Sequence, residues 1–161
     1  PKLSRHLEPR VPGPKRTLQI MEHLSGAGVP VRVLMSPLIP GLKDHEVETV
    51  LAAAADAGAS AASWVMLRLP REVADIWVDW LWAHYPNKAN KVMARLREMH
   101  GGKDYDAQWN KRMRGEGEYA KMIGKRFDLA AKRLGLLPSL AKLDHSRFKS
   151  EQDRRQPSLF D

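Results

Sequence analysis

The chain has 161 residues, 43% of them hydrophobic and 29% charged, with 27 lysines and arginines against 19 acids for a net charge of +8. That suffices for one domain with a core but falls short of the about 250 residues of a complete β/α barrel. The absence of cysteine removes disulfides, thiolate metal sites and cysteine nucleophiles from this stretch, and no apolar run approaches the ~20 residues that span a bilayer, so a cytoplasmic, non-membrane protein is expected.

Residues 1–13 read as a loop, because Pro9, Pro12 and Gly13 disfavour a helix. Pro14 suits a first helical position, where its missing N–H would be unpaired anyway. Leu18, Met21 and Leu24 then give one apolar face to a helix stopped by Gly28. Val29 to Met35 follows as a strand, and Ser36-Pro-Leu-Ile-Pro-Gly-Leu-Lys-Asp44 forms a turn of the kind that lines the C-terminal mouth of a β/α barrel. Asp44 is placed to cap a helix with Val47, Val50, Leu51 and Ala54 on its inner face, ending at Gly58. The alanines at 52–55 and 61–62 let that helix lie close to a sheet, and Ser63 to Leu69 supplies the next strand, stopped by Pro70. Two α-then-β units with glycines in equivalent places argue for parallel strands joined by right-handed crossovers.

Beyond Pro70 the pattern is helical. Residues 71–84 carry Val73, Ile76, Trp77, Trp80 and Leu81 as an apolar stripe, with Trp82 as an exposed exception. Residues 89–99 place Val92, Met93, Leu96 and Met99 on one face before Gly101-Gly102, and residues 118–134 form a third helix before Gly135. The charge is uneven: residues 1–86 hold 9 basic and 9 acidic side chains, while residues 87–161 hold 18 and 10, the whole excess. Such asymmetry points to a polyanion, with nucleic acid the expected partner through counterion release. Trp109-Asn-Lys-Arg-Met-Arg-Gly-Glu-Gly-Glu-Tyr119 mixes cations, aromatics and glycines, able to hold a phosphate backbone and stack a base; Lys111, Arg112, Arg114, Lys125 and Arg126 are the expected contacts. The same segment also reads as a basic loop between helices. The six histidines show no metal-ligand spacing on a helix face, and neither a nucleophile elbow nor a Walker-type phosphate loop is present.

Four blocks, Leu7-Glu8-Pro9-Arg10, Ser36 to Asp44, Leu67-Arg68-Leu69-Pro70 and Met113-Arg114-Gly115-Glu116-Gly117, in that order and at those spacings resemble the C-terminal half of radical S-adenosylmethionine proteins related to spore photoproduct lyase, the DNA repair photolyase-like group. The resemblance covers nearly the whole chain. It implies a partial (β/α) barrel holding a 4Fe-4S cluster and S-adenosylmethionine, whose reductive cleavage yields a 5′-deoxyadenosyl radical acting on DNA or another nucleic acid. It also implies that the strands seen are the fifth and sixth, and that residues 1–161 are a fragment. The family ligates its cluster through a Cys-x3-Cys-x2-Cys loop, and those cysteines are absent, so the isolated chain is expected to be inactive. The family's adenine-packing Gly-x-Ile-x-Gly-x-x-Glu pattern maps onto Pro37 to Asp44, with Ile39 and Gly41 retained. Arg68 and Arg10 are implied as groups for a carboxylate or phosphate of the cofactor.

The fold class expected is thus α/β: C-terminal βα units of a partial TIM-type barrel in 1–86, a basic helical extension in 87–137 and a mobile tail in 138–161. The tail ends in Gln156-Pro-Ser-Leu-Phe160, which resembles the peptide by which bacterial polymerases and repair proteins dock onto the sliding clamp. Gln156 would set register and Leu159 and Phe160 would anchor. The alternative function is a non-catalytic nucleic-acid or sliding-clamp-binding module. A monomer is expected, of marginal stability alone, since two strands leave edges unpaired.

Overall fold

The computed structural model describes residues 2–109, 111–142 and 146, and these hold six α-helices and one two-stranded parallel sheet. The order is α1 (Lys2–Leu7), α2 (Pro14–Gly26), β1 (Arg32–Leu38), a 3-10 turn (Asp44–Glu46), α3 (Val47–Asp56), β2 (Ala61–Met66), α4 (Val73–His84), α5 (Pro86–Met99) and α6 (Gly117–Arg133). The fold class is therefore α/β with parallel pairing, as the repeated α-then-β pattern requires.

Both strands begin and end at places other than the apolar runs suggest. β1 starts at Arg32 rather than Val29, because the Val29 N–H closes the turn onto Leu24 O and Pro30 has no N–H to give. Pairing runs Arg32 with Ala61 through Met35 with Trp64, then resumes at Leu38 with Met66 across an irregularity at Ser36-Pro37. β2 accordingly covers Ala61–Met66 rather than 63–69, its two leading alanines being paired residues.

Helices α2, α3 and α6 share one core with the sheet, in which Val33 and Met35 of β1 and Ala62, Trp64 and Met66 of β2 meet Met21, Leu51, Ala54, Ile123 and Phe127. The successive side chains of a strand alternate between faces, and the opposite face at β1 is uncovered by the described residues: Leu34 is 56% exposed, and Ser36 is exposed beside it. The edges differ as well. On the side of β2 away from β1, Ala62 N–H donates to Leu137 O at 2.9 Å and Met66 N–H to Met113 O at 2.9 Å. The outer edge of β1 has no strand partner among the described residues.

Three local expectations change. Residues Lys2–Leu7 are helical, not loop: Leu3 and Leu7, one turn apart, pack on the cluster of Ile39, Leu69 and Leu81, and the prolines follow the helix and end it. Asp44 makes no capping hydrogen bond to α3; it opens the 3-10 turn, buried, and its carboxylate accepts from Tyr119 Oη of α6. On α4 the buried residues are Trp77 and Leu81, whereas Val73 and Ile76 are 41% and 65% exposed. Helix α4 is apolar around most of its circumference, so period alone does not select the buried side. Trp82 is exposed as expected, and Val92, Met93, Leu96 and Met99 of α5 are all buried. The tail residues Gln156, Leu159 and Phe160 lie outside the described residues.

Candidate functional site

The chain leaves both strands at the same end, and there the segments after β1 and β2 form a second core with α4 and α5. Ile39, Leu42, Leu67 and Leu69 are buried with Trp77, Leu81, Val92 and Leu96. Ile39 is fully enclosed in this packing, so its side chain presents no open surface to a purine. Gly41 has φ +73 at the turn, and a Cβ there would sit 3.8 Å from Val92 Cγ2, an ordinary contact; conformation, not space, calls for glycine. Arg10 is exposed in the turn after α1.

Between the buried Leu67 and Leu69, Arg68 turns the other way. Its Nη2 donates to Tyr105 Oη at 3.2 Å and its Nη1 to Met113 Sδ at 3.6 Å, while Nε is buried with no hydrogen-bond partner among the described residues. The described residues give Arg68 no carboxylate. Beyond Tyr105 lies His100, whose ring is 6.2 Å away, centre to centre, and almost wholly buried, with neither nitrogen hydrogen-bonded among the described residues. Burial holds the His100 pKa below its ordinary 6.5, against a smaller upward pull from Asp106.

The loop carrying these groups, residues 100–116, is tied down at several points. Met66 N–H reaches Met113 O, Glu116 N–H reaches Met99 O at 2.8 Å, and Arg97 Nε pairs with Asp104 at 2.6 Å. The result is a basic, aromatic rim beside the C-terminal end of β2.

The five cations expected at nucleic acid fall into distinct situations. Arg126 is held by Glu48 through two bonds of 2.9 and 2.7 Å, which lower the Glu48 pKa and raise that of Arg126. Lys111 pairs with Glu116 at 2.9 Å, and that bond raises its pKa. Arg112 lies 4.0 Å from the Trp109 ring centre and Arg114 4.1 Å from that of Trp64. Partial burial against the indole lowers the Arg114 pKa. Lys125 is exposed on α6. Arg112 and Arg114 therefore remain as cations held on aromatic faces, without a carboxylate in ion-pair contact among the described residues. Tyr105 and His100 escaped the sequence reading, since isolated aromatics in a polar loop carry no periodic signal.

A cluster does not fit this chain's residues. There is no cysteine, and among the described residues no three His, Asp or Glu side chains converge as metal ligands. No described helix is long and apolar enough to cross a membrane. Compared with protein-family models, curated proteins and solved structures, the chain matches none.

Proposed function

We propose that this chain forms the C-terminal strands and the nucleic-acid rim of a radical S-adenosylmethionine protein related to spore photoproduct lyase. One observation carries the reading: residues from the four sequence blocks behind the resemblance, far apart in the chain, are linked by contacts at the C-terminal ends of β1 and β2. Leu7 of the first block packs on the cluster built from Ile39 and Leu42 of the second and Leu67 and Leu69 of the third. Arg68 of the third bonds Met113 of the fourth. In β/α barrels that end carries the active site.

The outer edge of β1 and the face around Leu34, both left uncovered by the described residues, support a sheet that continues with further strands, as a partial barrel requires. A reduced cluster, with ligands from outside these 161 residues, would supply the electron for cleavage of S-adenosylmethionine. Within them, Arg68 is the side chain at the strand ends best suited to an anionic group of a cofactor or substrate, being charged, half-buried and without a carboxylate. Arg112 and Arg114 on the neighbouring loop favour a phosphate backbone alongside. The terminal Gln156, Leu159 and Phe160 are proposed as a sliding-clamp anchor.

The test is anaerobic reconstitution of the natural polypeptide that carries this sequence, with iron and sulfide. A broad visible absorption that bleaches on reduction is expected. A polypeptide that takes up no iron would leave the alternative, a nucleic-acid or clamp-binding module without a cluster.

A further inference from the structure

Trp109 is 76% exposed, more than any other large apolar side chain among the described residues. An indole so placed presents a broad apolar face to water, an arrangement common where a flat partner binds. One face is occupied by the Arg112 guanidinium at 4.0 Å, whose Nε is buried without a hydrogen-bond partner, so among the described residues this arginine is held by the ring rather than by an acid.

Of the three acids of the surrounding loop, two are in ion pairs and one accepts a backbone hydrogen bond. Asp104 is bonded by Arg97, Glu116 by Lys111, and Asp106 accepts from the Gln108 N–H at 2.9 Å. A backbone N–H does not neutralise Asp106, so the charges without an ion-pair partner among the described residues are Lys103, Arg112 and Arg114 against Asp106, a positive excess. A free aromatic face flanked by unneutralised cations is the combination that binds a base and its adjoining phosphates.

We propose that Trp109 is a stacking platform for an unpaired nucleobase, with the flanking phosphates against Arg112 and Arg114. This rests on the nucleic-acid reading above and narrows it: the platform selects single-stranded or everted bases. A base within a duplex has both faces covered by its neighbours and offers none to the indole. Trp109 makes none of the Arg68 contacts, and the geometry assigns it to positioning the strand.

The test is fluorescence anisotropy of the natural polypeptide that carries this sequence with labelled oligothymidylate and with a blunt duplex of two annealed strands, using Trp109→Ala and Trp109→Phe. Because the side chain is exposed, both variants should fold, which circular dichroism checks. Trp109→Ala is expected to weaken single-strand binding about tenfold, Trp109→Phe less, and duplex binding under twofold. If the wild-type polypeptide binds oligothymidylate and Trp109→Ala binds equally well, or loses both substrates alike, the platform is wrong while nucleic-acid contact stands. If the wild-type polypeptide binds neither oligonucleotide, both proposals fall.

Discussion

The Tyr119 hydroxyl of α6 donates a hydrogen bond to the buried carboxylate of Asp44, joining two residues 75 apart in sequence. The bond ties the turn after β1 to the first turns of α6, next to the bidentate Glu48 to Arg126 pair that links α3 to the same helix. Burial first, and the Asp44 carboxylate second, push the Tyr119 pKa from 10.0 up to about 12.

Tyr119→Phe should therefore destabilise the chain by about 1 to 3 kcal/mol at neutral pH, because a buried carboxylate loses its donor. The folded pKa is raised, so this contribution is complete below pH 10 and is lost as pH rises through about 12. Urea unfolding across that range should show an alkaline decline in the wild type that is blunted in Tyr119→Phe. Equal declines would place the titration elsewhere.

His100 makes the opposite case. Its folded pKa is lowered by burial, so the stability tied to its neutral form is present above pH 6.5 and is lost as pH falls toward the folded value. Both ring nitrogens are buried without partners among the described residues, and His100→Phe removes these two polar atoms. The variant is expected to be neutral or more stable by about 1 kcal/mol at pH 7, with a shallower acid decline in thermal melts between pH 7 and pH 5. A loss of several kcal/mol would show that the imidazole has a partner of its own.

Gly28 and Gly58 close equivalent helices with φ of +75 and +88, but their surroundings differ. Among the described residues a Cβ at Gly28 meets nothing within 4 Å, whereas one at Gly58 would collide with the Ser25 side chain. Gly28→Ala should cost about 1 kcal/mol for the backbone alone, and Gly58→Ala distinctly more. Ser25→Gly in the Gly58→Ala background should restore part of the difference, as denaturant midpoints would report. Equal costs at the two glycines would rule out the clash.

Among the basic residues, Arg114 should matter more for a phosphate backbone than Arg126, which Glu48 already neutralises. Arg114→Gln is expected to reduce the slope of log affinity against log salt by about 1, and Arg126→Gln by much less. A larger effect at Arg126 would mean that the ion pair opens on binding.

What could be read from the sequence was what local spacing controls. Pro14, the buried series Val92, Met93, Leu96 and Met99, and the paired stops at Gly28 and Gly58 placed helices correctly, and the repeated α-then-β order fixed parallel pairing. Strand register escaped because apolar character does not decide pairing: Val29 and Leu34, both in the apolar run, are 46% and 56% exposed, while Ala61 and Ala62 pair and are buried. Helix α1 rests on only two leucines whose partners lie on later segments. At the site the cations were visible as residue types, but their situations were not. Tyr105 is 37 residues from Arg68 and Glu48 is 78 from Arg126, so no local pattern separates the neutralised Arg126 from the aromatic-held Arg114.

The most direct test of the proposed function is to measure 5′-deoxyadenosine released from S-adenosylmethionine by the anaerobically reduced natural polypeptide containing this chain, with and without DNA. Release that rises when DNA is added is the predicted result. A polypeptide that binds DNA yet releases no 5′-deoxyadenosine under either condition would contradict the radical assignment and leave a binding module.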